Sequence, residues 1–243
     1  MNQDHGPQKS QRRFTTLLFD VFGTVVDLRG TVTEAARAYL RDSELDQERA
    51  QLLAEEWFVL LNASLTEVCT GKRPWSGHDE LMRRSLVQAL ERIGGQRAGR
   101  VSSTVEKLTL AVRRARAWPD SLSAISDLSE TYRVVALSNA SAATLTDLSA
   151  AGGLRWHCVV SSEFVRSYKP DPRVYAFAVE TLRLDVSETL MIAAHTWDLE
   201  AAAREGLATA LVGRKGEDPM DAPGTFDFRA RDLTDLAGQL TVA

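Results

Sequence analysis

The chain has 243 residues, with 29 Lys and Arg against 33 Asp and Glu and a formal charge of −4. Hydrophobic residues make up 44% and charged residues 26%, the balance of an ordinary folded protein of one large domain or a core with an insert. The mild acidity argues against a dedicated nucleic-acid binder, and no apolar run reaches the roughly 18 residues of a membrane helix.

Residues 1–13, MNQDHGPQKSQRR, are polar and lack the apolar middle of a secretory signal. They read as a disordered tail, and the chain as cytoplasmic. Cys69 and Cys158 form no C-x-x-C pair and read as reduced thiols. From Phe14 the run FTTLLFDVF ends at Gly23-Thr24, as a buried strand feeding a turn would. Comparable runs follow at Arg133 to Leu137, His157 to Val160, Thr189 to Ala193 and Ala208 to Val212. Most are apolar apart from one residue rather than alternating, as suits strands buried on both faces. Helical stretches separate them, at Ser121 to Glu130, Ala142 to Ala151, Pro172 to Leu182 and Asp198 to Glu205. This alternation predicts an α/β fold with a doubly wound parallel sheet.

Between Thr31 and Arg116 the pattern changes to apolar residues at helical spacing, such as Leu52, Leu53, Trp57, Leu60 and Leu61, then Leu81, Leu86 and Leu90. The expected organisation is an α/β core over 14–30 and 117–243, with an all-helical cap over 31–116 inserted after the first strand.

Active sites of open α/β sheets lie in the crevice at the carboxyl ends of the strands. Asp20 ends the first predicted strand, Ser138 and Asn139 the second, and His195 to Asp198 follow the fourth. Lys169 sits before Pro170 in the loop after the third. Singly each is an ordinary turn or cap residue. Together they converge two carboxylates, an amine and a hydroxyl-amide pair.

In order, FDVFGTVVD, LSNAS, SYKPDPRVY and AHTWD resemble the four motifs of the haloacid dehalogenase superfamily. The similarity is strongest to its type II (S)-2-haloacid dehalogenases. The resemblance implies a Rossmann-like core, a short (S)-2-haloacid as substrate, a homodimer, and no nucleic-acid or membrane partner. It assigns Asp20 as the nucleophile that forms an aspartyl ester, Lys169 as the cation that keeps it ionised, and Thr24 as a donor to it. Arg49 is placed as the clamp for halogen and carboxylate. Asn139 and Trp197 are placed as halide donors, Leu53 as an apolar wall, Tyr175 as a pocket residue and Asp198 as the activator of water. Ser138 belongs to the same catalytic set.

Phe22 is the informative departure from the phosphatases of the superfamily. These carry a second Asp two residues after the nucleophile, which protonates an alkoxide leaving group. A halide leaves without a proton, so an aromatic ring there suits carbon–halogen cleavage. Ala193 and His195 replace the Ser and Asn of the type II pattern, and His195 can either hydrogen-bond or act as a base. Magnesium-dependent members carry two acidic residues in the fourth motif. Here Ala194 stands in place of one, so neither a metal nor any other cofactor is expected. The rival readings are a phosphatase of the same fold with an unusual acid, and a catalytically silent binder of small acids.

Overall fold

The computed structural model describes residues 13–40, 47–93 and 98–242. The expected tail therefore lies, except for Arg13, outside the described residues. The sheet is six-stranded, in the order β3-β2-β1-β4-β5-β6, with every pairing parallel. Its strands are β1 Thr16–Phe19, β2 Arg133–Ser138, β3 Cys158–Ser161, β4 Thr189–Ala193, β5 Ala208–Val212 and β6 Phe228–Ala230. This is a doubly wound order. It reverses at β1, between β2 and β4, which is where such sheets open a crevice at their carboxyl ends.

The strands are apolar because both faces of the sheet are covered. Successive side chains of a strand point to opposite faces. Leu17 and Phe19 of β1 accordingly join one buried cluster, which continues into the insert through Trp57 and Leu86. Leu18 joins another, with Val174, Tyr175 and Leu199. These last three lie on α7 Pro172–Leu182 and α8 Thr196–Arg204. The Pro172 start of α7 is set by Asp171, whose side chain accepts from Arg173 N at the cap.

Between β1 and β2 lie α1 Leu28–Leu40, α2 Gln47–Cys69, α3 His78–Ile93 and α4 Ala98–Val112, followed by α5 Ser121–Ser129. No strand interrupts α1 to α4 among the described residues. Trp57 Nε1 donates to Met82 O at 2.9 Å, which ties α2 to α3. The first of these helices starts at Leu28, ahead of the expected boundary at 31, because Asp27 caps it: Gly30 N donates to Asp27 Oδ1 at 2.8 Å. The chain leaves and re-enters the core side by side, since Asp27 N donates to Arg116 O at 2.8 Å and Val26 forms a bridge with Ala117. Both β6 and the C-terminal α9 Leu233–Val242 extend the fold beyond the sequence expectation.

Candidate active site

The turn after β1 places Asp20 and Thr24 under the centre of the crevice. Gly23, at φ +80, allows the reversal. Thr24 Oγ1 donates to Asp20 Oδ2 at 2.8 Å and accepts from Ala194 N at 2.8 Å. The amide of the residue after β4 thereby fixes the hydroxyl so that its proton points at the carboxylate.

Lys169 reaches in from the loop after β3. Its ammonium donates to Asp20 Oδ1 at 2.8 Å and also to Asp198 Oδ2, with only 1% of the lysine side chain exposed. The Asn139 amide holds the lysine backbone at both ends: Oδ1 accepts from Lys169 N at 2.7 Å and Nδ2 donates to Lys169 O at 3.3 Å. Tyr175 OH donates to Asp198 Oδ1 at 2.6 Å. Asp198, in the first turn of α8, is fully buried, with both carboxylate oxygens engaged.

The electrostatics follow from these contacts. Burial alone would raise the Asp20 carboxyl, but the charges and bonds of Lys169 and His195 outweigh it and hold Asp20 well below the usual carboxylate range. Burial opposes the charge on Lys169, yet the two carboxylates more than restore it and push the ammonium up. For Asp198 burial is the largest influence; with the Asp20 charge added, it pushes the carboxyl up despite Lys169. Tyr175 is also pushed up, by burial and by Asp198, and so stays a donor.

On the other oxygen of Asp20 stands His195. Its Nδ1 lies 3.1 Å from Asp20 Oδ2, and its Nε2 lies 3.2 Å from Glu217 Oε2. Burial disfavours the imidazolium, but the two carboxylates overcome it and push His195 up to about 10. A hydrated magnesium ion wants several free oxygen ligands in octahedral order. Here Lys169, Thr24 and His195 occupy both Asp20 oxygens, and Ala194 offers only backbone atoms, so the donor set does not fit that ion.

A cavity of about 670 Å³ opens above Asp20, within the range of small-molecule sites. Asp20, Phe22, Ser138, Asn139, Lys169, His195 and Trp197 line it from the sheet side, while Arg29, Phe58, Leu61, Asn62, Leu65 and His78 line it from the insert. Phe22 packs against His78 with ring centroids 5.9 Å apart. Trp197, 42% exposed, lies tilted over His195 at 5.7 Å. Ser138 is buried and accepts from Ala140 N at 3.2 Å.

Three expected site residues stand elsewhere. Arg49 is exposed near the start of α2 and is not part of the cavity lining, which begins on that helix only at Phe58; the helix turns the earlier residue away. The guanidinium on the wall is Arg29 of α1, 3.4 Å from Glu217 Oε1 and 5.1 Å from the centre of the Phe58 ring. Leu53 is buried in the core with Trp57 rather than lining the pocket. Tyr175 lies behind Asp198, off the cavity wall, and Asn139 commits part of its amide to the Lys169 backbone. Sequence reasoning passed over Glu217 and Arg29. Glu217 sits among other charged residues and Arg29 in the first turn of a helix, and neither carries a local signal of its tertiary placement.

Comparison with known proteins agrees with this geometry. The family model described as haloacid dehalogenase-like hydrolase matches residues 14–206. The crystal structure of an L-2-haloacid dehalogenase is 32% identical over 95% of this chain and 100% of its own, with a TM-score of 0.86. That of a defluorinating L-2-haloacid dehalogenase is 33% identical over 94% of this chain and 95% of its own, with a TM-score of 0.87. (S)-2-haloacid dehalogenase 4A of Burkholderia cepacia is 28% identical over 134 residues, 54% of this chain and 58% of that relative. A buried Asp-Lys-Asp cluster at the switch point of a doubly wound sheet, matched along most of its length, places this chain in the haloacid dehalogenase-like hydrolase family.

Proposed function

We propose that the protein hydrolyses short (S)-2-haloalkanoic acids to (R)-2-hydroxyalkanoic acids through an ester on Asp20. The observation that carries this reading is the nucleophile's setting. Asp20 is buried and held ionised by Lys169, and the position two residues on is the Phe22 ring instead of a carboxylic acid. Such a site attacks carbon but has no acid there for an alkoxide leaving group.

Asp20 Oδ1 is the attacking atom. Among the described residues it accepts from one donor, Lys169, whereas Oδ2 is held by Thr24 and His195. In-line displacement at Cα inverts that carbon and expels the halide into the cavity, where the Trp197 indole N–H and the remaining Asn139 N–H are donors. Arg29 takes the place expected for Arg49. It is the guanidinium on the wall, and a substrate carboxylate offers it a better partner than the 3.4 Å contact with Glu217. In the second step water attacks Cγ of Asp20 and passes its proton to the Lys169–Asp198 pair. The raised carboxyl of Asp198 makes it the better acceptor.

The test is chloride release from (S)- and (R)-2-chloropropionate, with chiral analysis of the product and phosphate esters as controls. Chloride from the S enantiomer alone, with R product, supports the reading. Phosphate release without chloride release overturns it.

A further inference from the structure

Glu217 takes no part in the chemistry described so far, yet it is one of the least exposed carboxylates in the cavity wall. Its side chain is 7% exposed, while that of Arg29, its guanidinium partner, is 45% exposed. It follows Gly216, at φ +86, in the loop after β5. Its Oε2 stands 3.2 Å from His195 Nε2, and the opposite ring nitrogen faces Asp20 Oδ2. Gly23 leaves the room for this meeting: a Cβ there would lie 2.8 Å from Glu217 Oε1 and 3.0 Å from His195 Cε1.

We propose that Glu217 is a positioning residue that keeps the His195 imidazole protonated and aimed at Asp20 Oδ2, so that His195 and Thr24 together hold the oxyanion formed when water opens the Asp20 ester. This rests on the dehalogenase reading above. Oδ2 becomes the carbonyl oxygen of the ester, because Oδ1 forms the bond to carbon. Water adds to Cγ, the C=O electron pair moves onto Oδ2, and the two donors already in place at 2.8 and 3.1 Å meet the charge as it develops. The pair then returns, the bond from Cγ to the alkyl-bearing oxygen breaks, and the departing alkoxide takes the proton that the Lys169–Asp198 pair removed from water. The new acid on Asp20 loses its own proton to solvent and is a carboxylate again.

The charged groups around the ring explain why Glu217 is needed. Asp20 from the β1 turn and Glu217 from the β5 loop touch His195, Lys169 holds the far oxygen of Asp20, and Arg29 from α1 holds Glu217. In the resting enzyme two carboxylates favour the imidazolium. Esterification removes the charge of Asp20, which leaves Glu217 as the one carboxylate in contact with the ring among the described residues.

Rapid-quench turnover of (S)-2-chloropropionate by the wild type, Glu217→Gln and Glu217→Asp separates the two steps, with chloride reporting the first and decay of the alkylated Asp20 peptide the second. We expect the chloride burst to change by less than about threefold in all three proteins. Ester decay in Glu217→Gln should fall as pH rises through neutrality and be on the order of 100-fold slower at high pH, whereas Glu217→Asp should keep the wild-type profile. A Glu217→Gln decay with the wild-type pH profile, or equal loss in both steps, overturns the proposal. A second readout needs no turnover. In Asp20→Asn, a neutral mimic of the ester, the ¹⁵N shifts of His195 should stay those of an imidazolium above neutral pH, and should become those of a neutral ring once Glu217→Gln is added. A neutral ring in Asp20→Asn alone also overturns the proposal. Absence of any chloride from the wild type would instead overturn the reading on which it rests.

Discussion

Lys169→Met is the most revealing single change, because it removes a cation from between two buried carboxylates. At 2.8 Å from Asp20 Oδ1, the gross attraction is about 6 kcal/mol at an effective dielectric of about 20. The cost of burying the ammonium cancels part of this, and breaking a buried pair typically leaves a net loss of about 3–5 kcal/mol. In the wild type Asp20 is held below its ordinary value. Its contribution to stability is therefore full above the unfolded value near 3.9 and fades only as pH falls toward the folded one. Without Lys169, burial dominates, and Asp198, already pushed up, takes a proton first, since His195 still faces Asp20. A carboxyl raised by folding stabilises below its unfolded value and loses that contribution as pH rises. The variant therefore loses stability relative to the wild type as pH rises. Urea unfolding followed by tryptophan fluorescence should show the variant about 3–5 kcal/mol less stable than wild type near pH 7.5 and clearly closer to it near pH 4.5. A difference under about 1 kcal/mol at both values, or one that does not narrow in acid, would refute the charge balance described above.

Thr24→Val strips the hydroxyl that joins Ala194 N to Asp20 Oδ2 and leaves a buried amide unpaired; thermal melts should register a loss of about 1–3 kcal/mol, along with slower ester hydrolysis. The burst of chloride should hold from mildly acid pH through neutrality, because Asp20 stays ionised there. A stopped-flow profile with a limb near 6.5 would contradict that. Steady-state kinetics should show KM for a 2-haloacid rising about tenfold or more in Arg29→Ala, as expected when a charge-assisted hydrogen bond is lost. In Arg49→Ala, an exposed helix position, it should move less than about twofold.

The core strands were legible because a strand covered on both faces is largely apolar rather than alternating. Thr189–Ala193 and Ala208–Val212 stand in the sequence as largely apolar runs, each with a single threonine, and Pro172 marks the start of its helix as a first-turn proline should. By contrast β6, three residues at the sheet edge with the pattern Phe-Arg-Ala, carries too little periodicity to be seen. The Asp20, Lys169 and Asp198 cluster was legible for a topological reason: each follows a strand of a parallel sheet, so all three had to end at the same rim. Which guanidinium reached the cavity was not legible. That depends on how α1 and α2 turn against each other, and an Arg two turns before Trp57 carries the same local signal whether it faces the pocket or solvent. Glu217 was hidden for a related reason. In Arg-Lys-Gly-Glu-Asp it reads as one of several solvated charges, until the β5 loop folds it onto His195. His195, Glu217 and Arg29 join Asp20, Asp198 and Lys169, and with the imidazole protonated the six charges sum to zero.

In the proposed mechanism oxygen enters the product through Asp20. Single turnover of (S)-2-chloropropionate in H₂¹⁸O, with enzyme in excess and the Asp20 peptide and the 2-hydroxy acid weighed separately, tests it most directly. Heavy oxygen in the Asp20 carboxylate and none in the first-formed hydroxy acid is the predicted result; heavy oxygen in the hydroxy acid with an unlabelled Asp20 would contradict it.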